Sequence, residues 1–366
     1  MLKLGFIEKS DLNQAINQPI TAVLHGVQLD LAAPYVAEEA RRAALEIFND
    51  RAYIDGLRVY TTINGKQQKA AQNAVIKGLL EYDKRHGWRG IKTKLSGDNL
   101  NDWKSQLANH KNIGALKAAV VVAATENQIS AITRDKEMIR IEPEGFNWAR
   151  VHQSVDSIGP TVNDARRLVQ PGDLIRVLYD QDLWWLAQQP EVEAGFVALD
   201  PENGAIRAMV GGFNYFESKF NRATQGGRLV GSGIKPLIYT AALESGMTPA
   251  TLINDSPVVF DQTEGATDWR PQNSSGTFLG PTRLRKALYR SRNLVSVRLV
   301  RELGIDSVID IAGRFGLDTA KLPRDLSISL GTASLTPLEM AETYAVFANG
   351  GFKVKHHLID RIESAN

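Results

Sequence analysis

Gly231-Ser232-Gly233-Ile234-Lys235-Pro236, followed by the apolar run Leu237-Ile238-Tyr239-Thr240-Ala241-Ala242-Leu243, decides how the rest of the chain is read. The pattern predicts a serine at the entrance of a buried helix. A lysine three residues on shares its face, one turn away. Serine is a favoured N-cap, and Pro236 is tolerated in a first turn whose amides lack intrahelical partners anyway. A serine hydroxyl is a poor nucleophile until a neighbouring base takes its proton. Lysine serves as that base only where desolvation or nearby positive charge lowers its pKa, and a helix N-terminus supplies part of such a field. The stretch therefore points to an activated-serine acyl-transfer site. The competing reading is a helix cap followed by a surface lysine, since Ser-x-x-Lys arises by chance about once in a chain of this length.

Just upstream, Gly195-Phe196-Val197-Ala198-Leu199-Asp200, the turn Pro201-Glu202-Asn203-Gly204 and Ala205 to Gly212 form the clearest hairpin in the chain. A strand pair that delivers the chain to a nucleophile-bearing helix begins an α/β sandwich. Downstream the pattern is mainly helical: Lys235 to Ser245, Arg283 through Leu303, Ser307 to Phe315, and Pro337 to Asn349, closed by Gly350-Gly351. Ser291-Arg292-Asn293 falls at a break inside the second of these. There a hydroxyl and an amide on a tight turn can project into a cleft opposite Ser232. Ser291 would relay a proton between Lys235 and a leaving amine, and Asn293 would hold a substrate amide and keep Lys235 in place. The plainer alternative is that Ser291 and Asn293 cap the next helix. Asp268 to Asn273 and Ser327 to Ala333 read as loops without an obvious catalytic group.

Further toward the N-terminus, Gly87 to Pro190 carries short apolar runs between polar turns: Ala118 to Ala124, Ile129 to Thr133, Met138 to Ile141, Leu174 to Tyr179 and Leu183 to Ala187. This spacing suggests a small sandwich or a five-stranded OB-like barrel, read as a spacer or partner-docking module. Leu57 to Ile63 reads as a strand ended by Asn64-Gly65. Gln67 to Tyr82 reads as a helix with Ala70, Ala71, Ala74, Val75 and Leu79 on one side. Residues 1 to about 50 read as helical, with a cap at Ser10-Asp11 and a helix opened by Pro34-Tyr35. Glu8, Glu38 and Glu39 are assigned to solvated helix faces.

Composition narrows the classes. Among 366 residues, Lys plus Arg (43) nearly balances Asp plus Glu (41), so no strong field favours nucleic acid. The absence of cysteine excludes disulfides and thiolate metal sites. The six histidines show no metal-ligand spacing, and His356-His357 reads as a solvated pair. No hydrophobic stretch approaches the roughly 20 residues that span a bilayer, and no signal peptide opens the chain.

Taken together, Ser232-x-x-Lys235 and Ser291-x-Asn293 resemble the first two active-site motifs of the penicillin-recognising serine acyl transferases. Leu57 to Ile63, the Asn203-Gly204 hairpin, Phe220 to Gln225, Trp269-x-Pro271-x-Asn273 and Ala345-x-Phe347-Ala348-Asn349-Gly350-Gly351 narrow this further. They are similar to the 1A group of class A, bifunctional penicillin-binding proteins of Gram-negative bacteria, and the resemblance covers essentially the whole chain. It implies a multidomain α/β and all-β chain: an incomplete transpeptidase (serine β-lactamase-like) α/β sandwich with an inserted OB-like β-barrel. The implied divisions are the tail of a glycosyltransferase domain (1–35), a linker strand and helix (36–86), the OB-like domain (87–190) and the N-terminal part of the transpeptidase domain (191–366).

The same resemblance implies a chemistry. Ser232 would attack the D-Ala-D-Ala bond of a stem peptide with Lys235 as base. The acyl-enzyme would pass to a neighbouring amine or to water, with a backbone N–H of Ser232 in the oxyanion hole. β-Lactams would acylate the same serine. Implied partners are stem peptides, lipid II-derived glycan strands and a cell-wall regulator docking on the OB-like domain. No cofactor or metal is implied, and the implied location is the periplasmic face of the inner membrane. No Lys-Thr-Gly or Lys-Ser-Gly, the family's third motif, occurs before Asn366. That departure predicts an incomplete sheet with an exposed edge and a poorly formed site. Met1 is read as an internal or misassigned start. Two alternatives compete: a catalytically inactive fragment that only binds, and a serine β-lactamase, which would need a deacylating base. No Glu-x-x-x-Asn segment after Ser291 supplies one.

Overall fold

A computed structural model describes residues 1–17, 29–260 and 269–364. The helical reading of residues 18–28, Asp268 at the head of the first loop and the terminal Asn366 lie outside the described residues. The chain divides into two units, Met1–Ala32 and Ala33–Asn366. In the first, a 3-10 turn at Leu2–Leu4 precedes α1 (Lys9–Asn17). Asp11, not Ser10, satisfies its start: Oδ2 accepts from the Glu8 N–H at 3.0 Å, as in one half of a capping box.

The second unit opens with α2 (Pro34–Phe48), Pro34 filling the first turn and Tyr35, Val36, Ala40 and Ala44 facing the interior. Glu39 is not on a solvated face as the sequence suggested. It accepts from Asn221 Nδ2 at 2.9 Å and from Thr224 Oγ1 at 3.1 Å. Strand β1 (Arg58–Thr61) leads to Asn64, whose Oδ1 caps α3 (Gly65–Arg85) through the N–H groups of Lys66 and Gln67. The buried stripe of α3 is Gln68, Ala71, Val75, Leu79 and Leu80, while Ala70 and Ala74 are exposed. Gln68 belongs inside because its amide makes two 2.8 Å bonds to the Met209 backbone, which satisfies it in an apolar setting.

Residues 88 to 190 hold α4 (Leu100–Leu107), β2 (Lys117–Ala124), β3 (Ile129–Thr133), β4 (Met138–Ile141), α5 (Pro143–Phe146), the small pair β5 (His152–Ser154) and β6 (Ser157–Ile158), β7 (Leu174–Asp180) and β8 (Leu183–Ala187). Five of these strands form an antiparallel sheet in the order β4-β3-β2-β7-β8. All five apolar runs read as strands are strands. The sheet curls so that β4 and β8 approach one another with α5 against both, and a bulge between Val121 and Ala123 helps it bend. Because β2 is buried on both faces, Ala119 and Val121 meet one core while Ala118 and Val120 meet Trp103 and Leu107 of α4.

Strands β9 (Phe196–Leu199) and β10 (Ile206–Val210) form the expected hairpin. Its turn needs glycine at 204: φ is +80°, and a Cβ there would lie 2.2 Å from the Lys355 carbonyl oxygen. Helix α3 covers β10. The rest of the chain supplies β11 (Arg228–Leu229), α6 (Lys235–Glu244), β12 (Leu252–Asp255), β13 (Gly280–Arg283), α7 (Leu284–Tyr289), α8 (Asn293–Leu303), α9 (Ile305–Arg314), β14 (Ser334–Leu335), α10 (Pro337–Ala348) and β15 (Ile359–Glu363). α10 covers β9, and β15 pairs antiparallel with β1. Among the described residues β9 pairs with β10 alone. α6 is the buried centre, with Ile234, Leu237, Ile238 and Ala242 at most 1% exposed and packed against α8 and α9. His357 is exposed and His356 is partly so, its Nδ1 lying 2.7 Å from Glu342.

Candidate active site

Ser232 sits in a 3-10 turn, Gly231–Ile234, that runs directly into α6. It does not cap the helix, because no side-chain cap bond forms at either element and the hydroxyl is turned to other partners. The turn is held from outside. Gly231 N–H donates to the Gly331 carbonyl at 2.9 Å and Val230 N–H to Ala333 at 3.0 Å, continuing the short β11–β14 pairing. Tyr344 Oη donates to the Gly233 carbonyl at 2.8 Å. Gly331 has φ +70°, and a Cβ there would stand 2.0 Å from Gly231 O, so only glycine allows this approach. The Ser327 to Ala333 segment, read as a loop, is therefore a structural brace that begins as a 3-10 helix at Leu326–Leu330.

Lys235 is 1% exposed, whereas Ser232 and Ser291 face solvent. Its Nζ lies 3.1 Å from Ser232 Oγ, 2.9 Å from Ser291 Oγ, 2.8 Å from the Ser291 carbonyl and 2.7 Å from Asn293 Oδ1. The two serine Oγ atoms are 2.9 Å apart. All four residues singled out from the sequence thus meet at one point, without a Lys-Thr-Gly anywhere in the chain. The four are anchored by α6, by the turn between α7 and α8 and by the loop carrying Gln272 and Asn273, and the Ser232 turn is held in addition by Gly331, Ala333 and Tyr344. Burial, and secondarily the positive charge of Arg292, lower the Lys235 pKa from 10.5 to about 8. At neutral pH about a tenth of such lysines carry a free lone pair.

Ser291 has φ +52°, unusual for a residue with a Cβ. The reason is a Schellman ending of α7: Ser291 N–H donates to Leu288 and Arg292 N–H to Ala287, both at 2.9 Å. Serine occupies the left-handed position that glycine normally fills. The next helix is capped neither by Ser291 nor by Asn293, contrary to the plainer reading. The cap comes from Asn273, whose Oδ1 accepts from the N–H groups of Asn293 (2.9 Å) and Leu294 (3.3 Å). Gln272 contributes its carbonyl, which takes the Asn293 Nδ2 proton at 2.9 Å and leaves Oδ1 facing Lys235. Sequence reasoning passed over Gln272 and Asn273, since a cap supplied from a distant loop leaves no local pattern. The only signal was Trp269-x-Pro271-x-Asn273. A surface groove of about 960 Å³ lies at the other end of α6 among Glu244, Glu302, Asp306 and Asp310. It has no part in this site.

Comparison with known proteins places the chain. Residues 194–365 match the penicillin-binding protein transpeptidase domain and residues 88–192 the penicillin-binding protein OB-like domain. Penicillin-binding protein 1A of Pseudomonas aeruginosa is 42% identical over 365 residues, covering 100% of this chain and 44% of that protein. Penicillin-binding protein 1A of Escherichia coli is 40% identical over 369 residues, covering 100% and 43%. The crystal structure of penicillin-binding protein 1A from Haemophilus influenzae superposes with a TM-score of 0.84 at 34% identity, over 100% of this chain and 52% of that one. PonA1 of Mycobacterium tuberculosis in complex with penicillin V shares the fold at a TM-score of 0.52 and 22% identity, over 90% and 62%. The chain spans less than half the length of these curated relatives, and it belongs to the class A penicillin-binding protein 1A family, with an OB-like domain and a penicillin-binding transpeptidase domain.

Proposed function

We propose that Ser232 is the nucleophile of a peptidoglycan D,D-transpeptidase site and that Lys235 is its base. The observation that carries this is the exposed hydroxyl 3.1 Å from a buried, largely desolvated amine. Neutral Lys235 takes the Ser232 proton as Oγ attacks the carbonyl of the terminal D-Ala-D-Ala bond. The ammonium so formed stays within reach of Ser291 Oγ at 2.9 Å, which passes a proton to the departing D-alanine amine. Asn293 holds Lys235 through Oδ1 and presents the same amide to the substrate backbone. The acyl-enzyme then transfers to the amine of a second stem peptide, forming the cross-link, or to water. A β-lactam follows the first half of this path and stops at the acyl-enzyme. The glycan strands of this polymer lie outside the cytoplasmic membrane, so the site would work on the periplasmic side. No helix among the described residues is long and apolar enough to cross a membrane.

The test is intact-protein mass spectrometry after incubation with a fluorescent penicillin, with Ser232→Ala as control. A stoichiometric adduct lost in the variant supports the assignment. A folded wild-type chain that takes no adduct overturns it and favours the reading as an inactive binding module.

A further inference from the structure

Arg292 stands between the two residues of the second motif and is 6% exposed. Its guanidinium is held on three sides: Nε donates to Asp255 Oδ2 at 2.7 Å, Nη1 to Ser275 Oγ at 2.9 Å, and Nη2 to the Thr277 carbonyl. Asp255 is wholly buried and is itself saturated, with Oδ1 taking Asn273 Nδ2 at 2.8 Å and Oδ2 taking Leu279 N–H at 3.0 Å. Asn273 in turn caps α8 at Asn293 and Leu294. The bonds close a ring, Asp255–Arg292–Asn293–Asn273–Asp255, around the backbone that carries Ser291 and Asn293.

We propose that Arg292 is a positioning residue of the acyl-transfer site, clamped by Asp255, Ser275 and Thr277 so that it fixes the Ser291–Asn293 turn and sets a permanent positive charge behind Lys235. This rests on the reading of Ser232 and Lys235 as nucleophile and base. A planar fork suits the task because three fixed donors define an orientation that a lysine ammonium cannot. The cradle also sits on two elements, β12 and the loop before β13, that contribute no residue to the motifs themselves. After burial, the charge of Arg292 is the second cause that lowers the Lys235 pKa. A positive neighbour keeps the amine unprotonated and available as a base.

The experiment uses the full chain and two variants. Arg292→Lys keeps the charge and loses the fork. Asp255→Asn/Arg292→Met removes both charges together, so no lone buried charge is left to unfold the protein. Two readouts are taken as functions of pH: the rate of Ser232 acylation by a fluorescent penicillin, and the acetylation rate of Lys235 by acetic anhydride, read by peptide mass spectrometry. The double variant should raise the Lys235 midpoint by about one pH unit and slow acylation about tenfold at neutral pH. Arg292→Lys should leave the midpoint in place and still slow acylation several-fold. A merely structural role would lower the folded fraction without moving the midpoint. A folded double variant with an unmoved midpoint overturns the proposal. If the double variant does not fold, Arg292→Lys decides, and acylation at the wild-type rate overturns it. A wild-type chain that forms no adduct refutes the nucleophile assignment instead, while the Lys235 midpoint still reports on Arg292.

Discussion

Replacing Ser291 separates what this residue does for the reaction from what it does to the fold. Its φ of +52° places a Cβ in the left-handed region, where an L-residue is disfavoured by about 1–2 kcal/mol relative to glycine. Ser291→Gly relieves that strain but gives back about 0.5–1 kcal/mol through the greater freedom of glycine in the unfolded chain. Ser291→Ala removes the same hydroxyl, and with it the contacts at 2.9 Å to Lys235 Nζ and Ser232 Oγ, while keeping the strain. The difference between the two variants therefore isolates the backbone term. Ser291→Gly should be more stable than Ser291→Ala by about 1 kcal/mol in urea unfolding. Both should lose acylation alike, by about 100-fold or more, if the hydroxyl relays the proton. A Ser291→Gly variant less stable than Ser291→Ala by about 0.5–1 kcal/mol, the glycine entropy term alone, would show that the turn stores no strain. Full acylation by either would show that the hydroxyl is idle.

Acylation by penicillin should rise about tenfold per pH unit below pH 8 and level off above it, because Lys235 must lose its proton with a pKa of about 8; a flat rate from pH 6 to 9, or a midpoint near 10.5, refutes the assignment. The same shift makes stability depend on pH. The folded pKa of Lys235 lies below its unfolded value, so the unfolded chain binds more protons between pH 8 and 10.5 and stability should rise across that window, by no more than about 3 kcal/mol measured against Lys235→Met. Asn273→Ala removes the α8 cap and leaves Asp255 one donor short, which should cost about 1–2 kcal/mol and slow acylation at least several-fold; stability and rate both unchanged would dismiss the distant cap. Gly331→Ala, whose Cβ would stand 2.0 Å from Gly231 O, should cost more than about 2 kcal/mol. It should also lower acylation in the fraction that folds, and a variant crystal structure with the Ser232 turn unmoved would contradict the brace.

The parts of this fold that were legible in the sequence are those with a local cause. β3 was readable from its apolar run and α3 from the helical pattern of Gln67 to Tyr82, although Asn64, read only as the end of a strand, proves to be its cap. The left-handed break at Ser291 was readable as an interruption between two helical patterns, although the serine gave no hint that it fills a glycine position. What escaped was long-range. β12, β13, β14 and β15 are two to five residues long and exist through partners far along the chain, as in the pairing of Thr61 with Ile359. Gln68 was not singled out from the sequence, and it is the buried backbone of Met209, which its amide both donates to and accepts from, that makes it a core residue. At the site the motif residues declared themselves by spacing. Asn273, Asp255 and Arg292 did not, because their function depends on a ring of bonds closed across β12, a loop and α8.

The reactivity of Ser232 is then a property of the helical core more than of the motif. An exposed lysine three residues from a serine would hold its proton at neutral pH and do nothing. Lys235 is useful because α6 is buried on nearly every side, with Ile234, Leu237 and Ile238 at most 1% exposed and α8 and α9 packed around them. Lowering its pKa from 10.5 to about 8 costs the fold up to about 3 kcal/mol at neutral pH. Full burial of one leucine or isoleucine contributes about 1.5–3 kcal/mol, so two or three side chains of the α6 core offset the whole penalty. It follows that a cavity placed far from the chemistry should still reach it. Leu237→Ala, two residues past the base and in the buried core cluster of α6, should admit water beneath α6, raise the Lys235 pKa toward 10.5 and slow acylation at pH 7 more than it slows acylation at pH 9. Equal slowing at both pH values would mean that the core merely holds the residues in place, and that the basicity of Lys235 is set by its immediate partners alone.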